Sequence, residues 1–180
     1  MYFNNSKIEA RVIELLTQFN VTAPSIAVKQ IVKDLGLNLI SYDFGEKNEI
    51  SGILVIENGI GTIGYNPQNS KQRQRFTIAH ELGHFLLHGH SKSEVFVDTD
   101  FIVKYRSEKN YSPHEVRQEQ EANAFAAELL MPKKLLLAEL KKDSYRQISE
   151  QEVIKNLAKV FEVSILAMSY RVANTSLFYH

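Results

Sequence analysis

Apolar residues recur at helix and strand spacings along most of the chain, and this pattern divides it into elements. Ile8, Val12, Leu15, Leu16 and Phe19 share one stripe of helical period and predict a helix over residues 5–19. Pro24-Ser25 opens a second helix, residues 26–35, and Gly36 stops it. Residues 37–42 read as a strand and the polar residues 43–51 as a loop. Two β-like runs, 52–57 and 60–65, flank Asn58-Gly59. Both turn residues tolerate positive φ, so a tight hairpin is expected. The 60–65 strand is expected to offer an edge on which extended peptide can pair.

Residues 70–88 form the next predicted helix. With His80 at 0° and about 100° per residue, Phe76, Ile78, Ala79, Leu82, Gly83, Phe85, Leu86 and Leu87 fill one broad arc. His80, Glu81, His84 and His88 fall on the remainder. The helix is therefore expected to bury one side and turn the other to a cleft. Gly83 costs about 1 kcal/mol of helix propensity against Ala. Either another backbone approaches closely there, or the glycine fits a tight core. Residues 89–112 are long for a plain connection. Residues 95–97 and 101–103 have the character of short strands, and the segment is placed to wall the cleft. Helices follow over 113–130, 133–143, 149–161 and 164–173, with Pro132 as a break and Ser149-Glu150-Gln151-Glu152 as a capping box. A seam near 143–149 divides a core, residues 1–145, from a helical appendage, 146–180, packed on it.

Composition narrows the function. The chain has 180 residues, 44% hydrophobic and 23% charged, which suits one folded unit and excludes a disordered chain. Lys and Arg balance Asp and Glu at 21 each, against bulk electrostatic binding of nucleic acid or anionic membrane. No apolar run reaches membrane-spanning length and the first residues lack a signal-type core, so a cytoplasmic protein is expected. The last two helices have helix-turn-helix spacing about Val163-Ser164. Residues 133–180 carry only a net +3, however, and the second helix has one Arg. Packing or partner contact suits them better than DNA reading. With no Cys, any bound metal must be held by His and carboxylates.

The chemistry centres on His80-Glu81-Leu82-Gly83-His84. His residues four apart stand about 6 Å apart along the axis and about 40° round it, so one tetrahedral zinc can take both. Glu81 flanks that position and can take a proton from a water there. A third ligand is needed. His88 lies about 12 Å along the helix from His80, too far for joint ligation. His90 has metzincin spacing, but Gly89 precedes it where that class has glycine at the position of Leu87. Glu119 sits among Val116, Ala122, Phe125, Ala126, Ala127, Leu129 and Leu130 on the apolar face of the 113–130 helix. Arg117, Gln120, Glu121 and Glu128 fall on the opposite arc, so Glu121 and Glu128 are expected to face water. A carboxylate on an apolar face needs a metal or a buried cation. Asn123, one turn on, can hold a ligand His through a hydrogen bond. Tyr105, Arg106, Tyr170, Arg171 and His88 have the chemistry to stabilise an oxyanion. The ligand types suit Zn2+, and Mn2+ or Fe2+ also fits them.

RFTIAHELGHFLLH, residues 75–88, together with ExxANxFAAELLMP, residues 119–132, closely resembles the ImmA/IrrE family of bacterial and phage metallopeptidases. The resemblance extends over roughly residues 8–175. It implies an α+β, gluzincin-like fold: a helical zincin-like core, a small sheet of about three strands beside the active-site helix, and a C-terminal helical portion. It also implies zinc on His80, His84 and Glu119, with Glu81 as acid/base. The resemblance further implies a zinc endopeptidase acting on a regulatory protein, either a helix-turn-helix repressor or an antitoxin-type partner. The other class of function is a partner-binding module that keeps the metal site and works by sequestration.

Overall fold

Helix α1 (Asn5–Gln18) buries the predicted stripe of Ile8, Val12, Leu15 and Leu16. The computed structural model describes residues 5–45, 50–89, 93–99 and 112–175. Helix α2 (Val28–Asp34) is shorter than its apolar pattern suggests, and Gly36 at φ +81° turns the chain out of it. Strand β1 (Asn38–Ser41) follows. Strands β2 (Ile50–Glu57) and β3 (Ile60–Tyr65) form the expected hairpin. Asn58 and Gly59 both take positive φ at its turn, 53° and 81°.

Among the described residues the sheet has four strands in the order β1-β3-β2-β4, against the expected three or so. Strand β4 (Ser93–Thr99) comes from the segment between the two long helices and pairs antiparallel with β2. Strand β1 pairs in parallel with β3, Leu39 opposite Ile63. That pairing places β3 inside the sheet, so the edge expected of residues 60–65 does not exist. Residues 101–103 lie outside the described residues.

Helix α3 (Lys71–His88) lies on this sheet, its first turn capped by the Ser70 hydroxyl accepting from Arg73 N–H at 3.2 Å. It lies close because the strands beneath it lack side chains at two points. A Cβ at Gly52 would stand 2.2 Å from Thr77 Cγ2, and one at Gly61 would stand 2.9 Å from the Phe85 ring. Helix α4 (Pro113–Leu130) covers another side of α3. Ser112 and Glu115 close a capping box at its start. A Cβ at Gly83 would lie 3.2 Å from the Ala122 Cα and 3.1 Å from Phe125 Cδ1. Close backbone approach therefore explains Gly83. Every residue from Thr77 to His84 is buried, so the motif side of α3 faces α4 and the sheet, not an open cleft.

Helices α5 (Lys133–Leu140), α6 (Glu150–Phe161) and α7 (Ile165–Thr175) follow. Leu157, Phe161, Met168 and Val172 join the same buried cluster as Ile78 and Leu129. Arg171 fastens α7 to the end of α4: its Nε donates to the Met131 carbonyl at 2.9 Å and it pairs with Glu128. Among the described residues no helix is long and apolar enough to cross a membrane.

Gly83→Ala tests the helix contact. The new methyl adds helix propensity of about 1 kcal/mol. It also overpacks the Ala122 backbone, at a cost of about 1–3 kcal/mol. We expect a net loss, read as a fall of about 2–4 °C in the thermal midpoint. A raised midpoint would mean that α4 moves away without penalty.

Candidate metal centre

The antiparallel contact of α3 and α4 sets their side chains opposite one another in rungs. His80 and His84 leave α3 one turn apart, and Asn123 and Glu119 meet them from α4. His84 Nε2 lies 3.0 Å from His80 Nε2. The Glu119 oxygens lie 3.5 Å from His80 Nε2 and 3.3 Å from His84 Nε2. His80, His84 and Glu119 thus offer ligand atoms that all lie within 4.8 Å of one another. Zinc bonds of 2.0–2.1 Å directed to tetrahedral corners put neighbouring ligand atoms about 3.3–3.4 Å apart. The three observed separations bracket that spacing, so this donor set fits one small cation.

The two imidazoles are held by different means. His80 Nδ1 donates to Asn123 Oδ1 at 3.1 Å. The neutral ring then keeps its lone pair on Nε2, the atom that faces Glu119. His84 is held by packing. Its ring stacks on Phe96 of β4, centroids 4.7 Å apart and planes 24° apart. Among the described residues no hydrogen-bond partner stands at its Nδ1. Burial holds the His84 pKa below the usual imidazole range, against the opposing pull of Glu119. A neutral ring is the form that binds metal.

Glu81 is fully buried. Its Oε1 lies against β2, where a Cβ on Gly52 would come within 3.3 Å. Glu119 is the more open carboxylate, its side chain 24% exposed.

Two carboxylates expected in water are not there. Glu121 is 22% exposed; it accepts from Arg117 Nε at 2.8 Å and lies 3.7 Å from His88 Nε2. Glu128 is 13% exposed and pairs with Arg171. A helical wheel ranks faces within one helix, whereas both partners here come from other elements or turns. Of the oxyanion candidates, His88 points its Nε2 at the Gln118 carbonyl, 3.2 Å away. Arg171 is committed to the far end of α4, about 13 Å along the axis from Glu119. Tyr170 is 65% exposed on α7. Tyr105, Arg106 and His90 lie outside the described residues. Phe96 had no site signal in the sequence, since only the β2–β4 register places it over His84.

Fold and site together define an α+β protein with a two-histidine, one-carboxylate cluster between a sheet-bound helix and its neighbour. Residues 32–173 match the model of the Peptidase_M78 family, described as the IrrE N-terminal-like domain, and the chain belongs to that family. The assignment points to a metallopeptidase. No curated protein matches the chain. A solved structure titled "Mycobacterium tuberculosis transcriptional regulator" is similar in fold, with a TM-score of 0.61 at 14% identity. The match covers 93% of this chain and 46% of that one, so the chain spans about half the length of that protein.

Metal content of single variants tests the ligand set. Glu119→Ala is expected to weaken zinc binding by well over the roughly 10–100-fold that outer-shell partners contribute. Glu121→Ala is expected to stay at or below about tenfold and His90→Ala to bind as wild type. Zinc loss in Glu121→Ala with Glu119→Ala intact would overturn the assignment.

Proposed function

We propose that the protein is a zinc-dependent endopeptidase that hydrolyses a peptide bond in a regulatory protein. That substrate is a helix-turn-helix repressor or an antitoxin-type partner from a neighbouring gene. The observation that carries this reading is the convergence of His80, His84 and Glu119 on one point, one residue along α3 from a buried glutamate. The family match supports the peptidase class, and the fold neighbour's title fits a regulatory setting.

His80, His84 and Glu119 would hold the ion, and Asn123 would keep His80 in the binding tautomer. A zinc ion held there supplies a Lewis acid that acidifies water and polarises a carbonyl. The Glu81 carboxylate takes the proton of the attacking water and passes it to the departing amine nitrogen. Its burial keeps bulk water from competing for that proton. Extended substrate would pair with β4, which is the edge strand among the described residues and carries Phe96 over His84. We assign residues 146–180 to anchoring the core, not to DNA. Arg171 is occupied by α4, and the exposed face of α7 presents Ile165, Leu166 and Tyr170.

Glu81→Gln keeps the size of the side chain and removes the base. Incubated with zinc and the product of the adjacent gene, wild type is expected to cut that product. The variant should be slower by at least about 100-fold, the lower range for a general base, while retaining zinc. Equal relief of repression by both proteins, with the partner left intact, would establish sequestration instead.

A further inference from the structure

Beyond the metal cluster, α3 carries a third histidine that the proposed chemistry does not use. His88 is the last residue of α3, and its side chain is only 7% exposed. Its ring lies next to that of His84, centroids 5.6 Å apart. Nε2 faces the Gln118 carbonyl at 3.2 Å and a Glu121 oxygen at 3.7 Å. Both are acceptors only, so Nε2 bears the hydrogen and donates.

The acceptor matters because of where it lies. The Gln118 carbonyl belongs to the peptide unit whose nitrogen is that of Glu119. Fixing that unit fixes the Glu119 backbone. The preceding turn of α4 gives that unit no buried support: residues 112–117 are all exposed, and the Ser112–Glu115 capping box holds only its start. Burial against α3 begins at Gln118 and Glu119. The rungs therefore run His80–Asn123, His84–Glu119 and His88–Gln118, and His88 closes the outer end of the ladder.

We propose that His88 is a positioning residue for the metal centre: it pins the peptide unit between Gln118 and Glu119 and so holds the Glu119 carboxylate in register with His80 and His84. Glu121, itself held by Arg117, lies beside the same Nε2. The proposal rests on the ligand reading above, and its test separates the two.

The test is Zn2+ affinity of the full chain by competition with a chelator, with the thermal midpoint of each metal-free variant measured beside it. Glutamine places an amide nitrogen where His Nε2 stands; asparagine stops short of it; leucine keeps bulk alone. His88→Gln is expected within about threefold of wild type, and His88→Asn and His88→Leu about tenfold weaker, in the range of outer-shell partners. The metal-free midpoints of the Gln and Asn variants should agree, so the difference in affinity reports register and not stability. If the Leu variant does not fold, the Gln–Asn comparison still decides. Asn and Gln variants of equal affinity would overturn the proposal. Glu119→Ala at wild-type affinity would overturn the ligand reading itself, and the positioning role with it. Loss of zinc in Glu119→Ala beside unchanged binding in all three His88 variants would remove only the positioning role.

Discussion

Everything at the centre depends on how closely two helices approach at Gly83. With no side chain there, Ala122 and Phe125 of α4 lie directly on the α3 backbone. Helix axes at that separation let short side chains on facing turns reach each other. Glu119 and Asn123 can therefore meet His84 and His80 without extending into solvent. A bulkier residue at 83 would move α4 outward by a fraction of an ångström, and ligand geometry tolerates little more. Gly52 does the same on the sheet side, where Thr77 and Glu81 occupy the space a side chain would need.

The arrangement is costly. Two imidazoles and a carboxylate are removed from water in the middle of α3, where His80, Glu81 and His84 are 2%, 0% and 1% exposed. Buried polar groups destabilise a fold unless they are paired. Some of that cost is offset by Asn123 at His80 and by the Glu119 carboxylate between the two rings. A bound divalent cation would offset more of it and would couple metal binding to stability. The donors are already at ligand spacing, so binding needs little rearrangement of the protein.

Much of this was legible in the chain. The His80–His84 spacing is a property of one helix, and so is the isolation of Glu119 and Asn123 on an apolar face. Helical periodicity suffices for both. The Asn58-Gly59 hairpin is likewise local, set by two residues that accept positive φ. What periodicity could not show is contact between elements. Glu121 and Glu128 lie on the polar side of their own helix, yet His88 and Arg171 come to meet them. Strand β3 looked like an edge because its parallel partner β1 lies before the hairpin and pairs across 24 residues of chain, Asn38 opposite Thr62. Phe96 became a neighbour of His84 only through the pairing of β4 with β2. The sequence also suggested an open cleft along α3, since a wheel does not reveal that α4 covers the polar stripe.

The same geometry bears on the last two helices. Their helix-turn-helix spacing would be functional if the second helix presented cations to a phosphate backbone. Its only Arg instead grips α4 through Glu128 and the Met131 carbonyl. Helix α4 is thus held along its length: by Arg171 at its C-terminal end, by Gly83 at the middle, and by His88 where burial begins. A helix that brings Glu119 to two histidines on another helix must not slide along it, since one residue of slippage shifts a side chain by about 1.5 Å and turns it by about 100°. Restraints at both ends and a close contact between them prevent that slip. The C-terminal helices then help to keep the His80–His84–Glu119 cluster in register through their grip on α4.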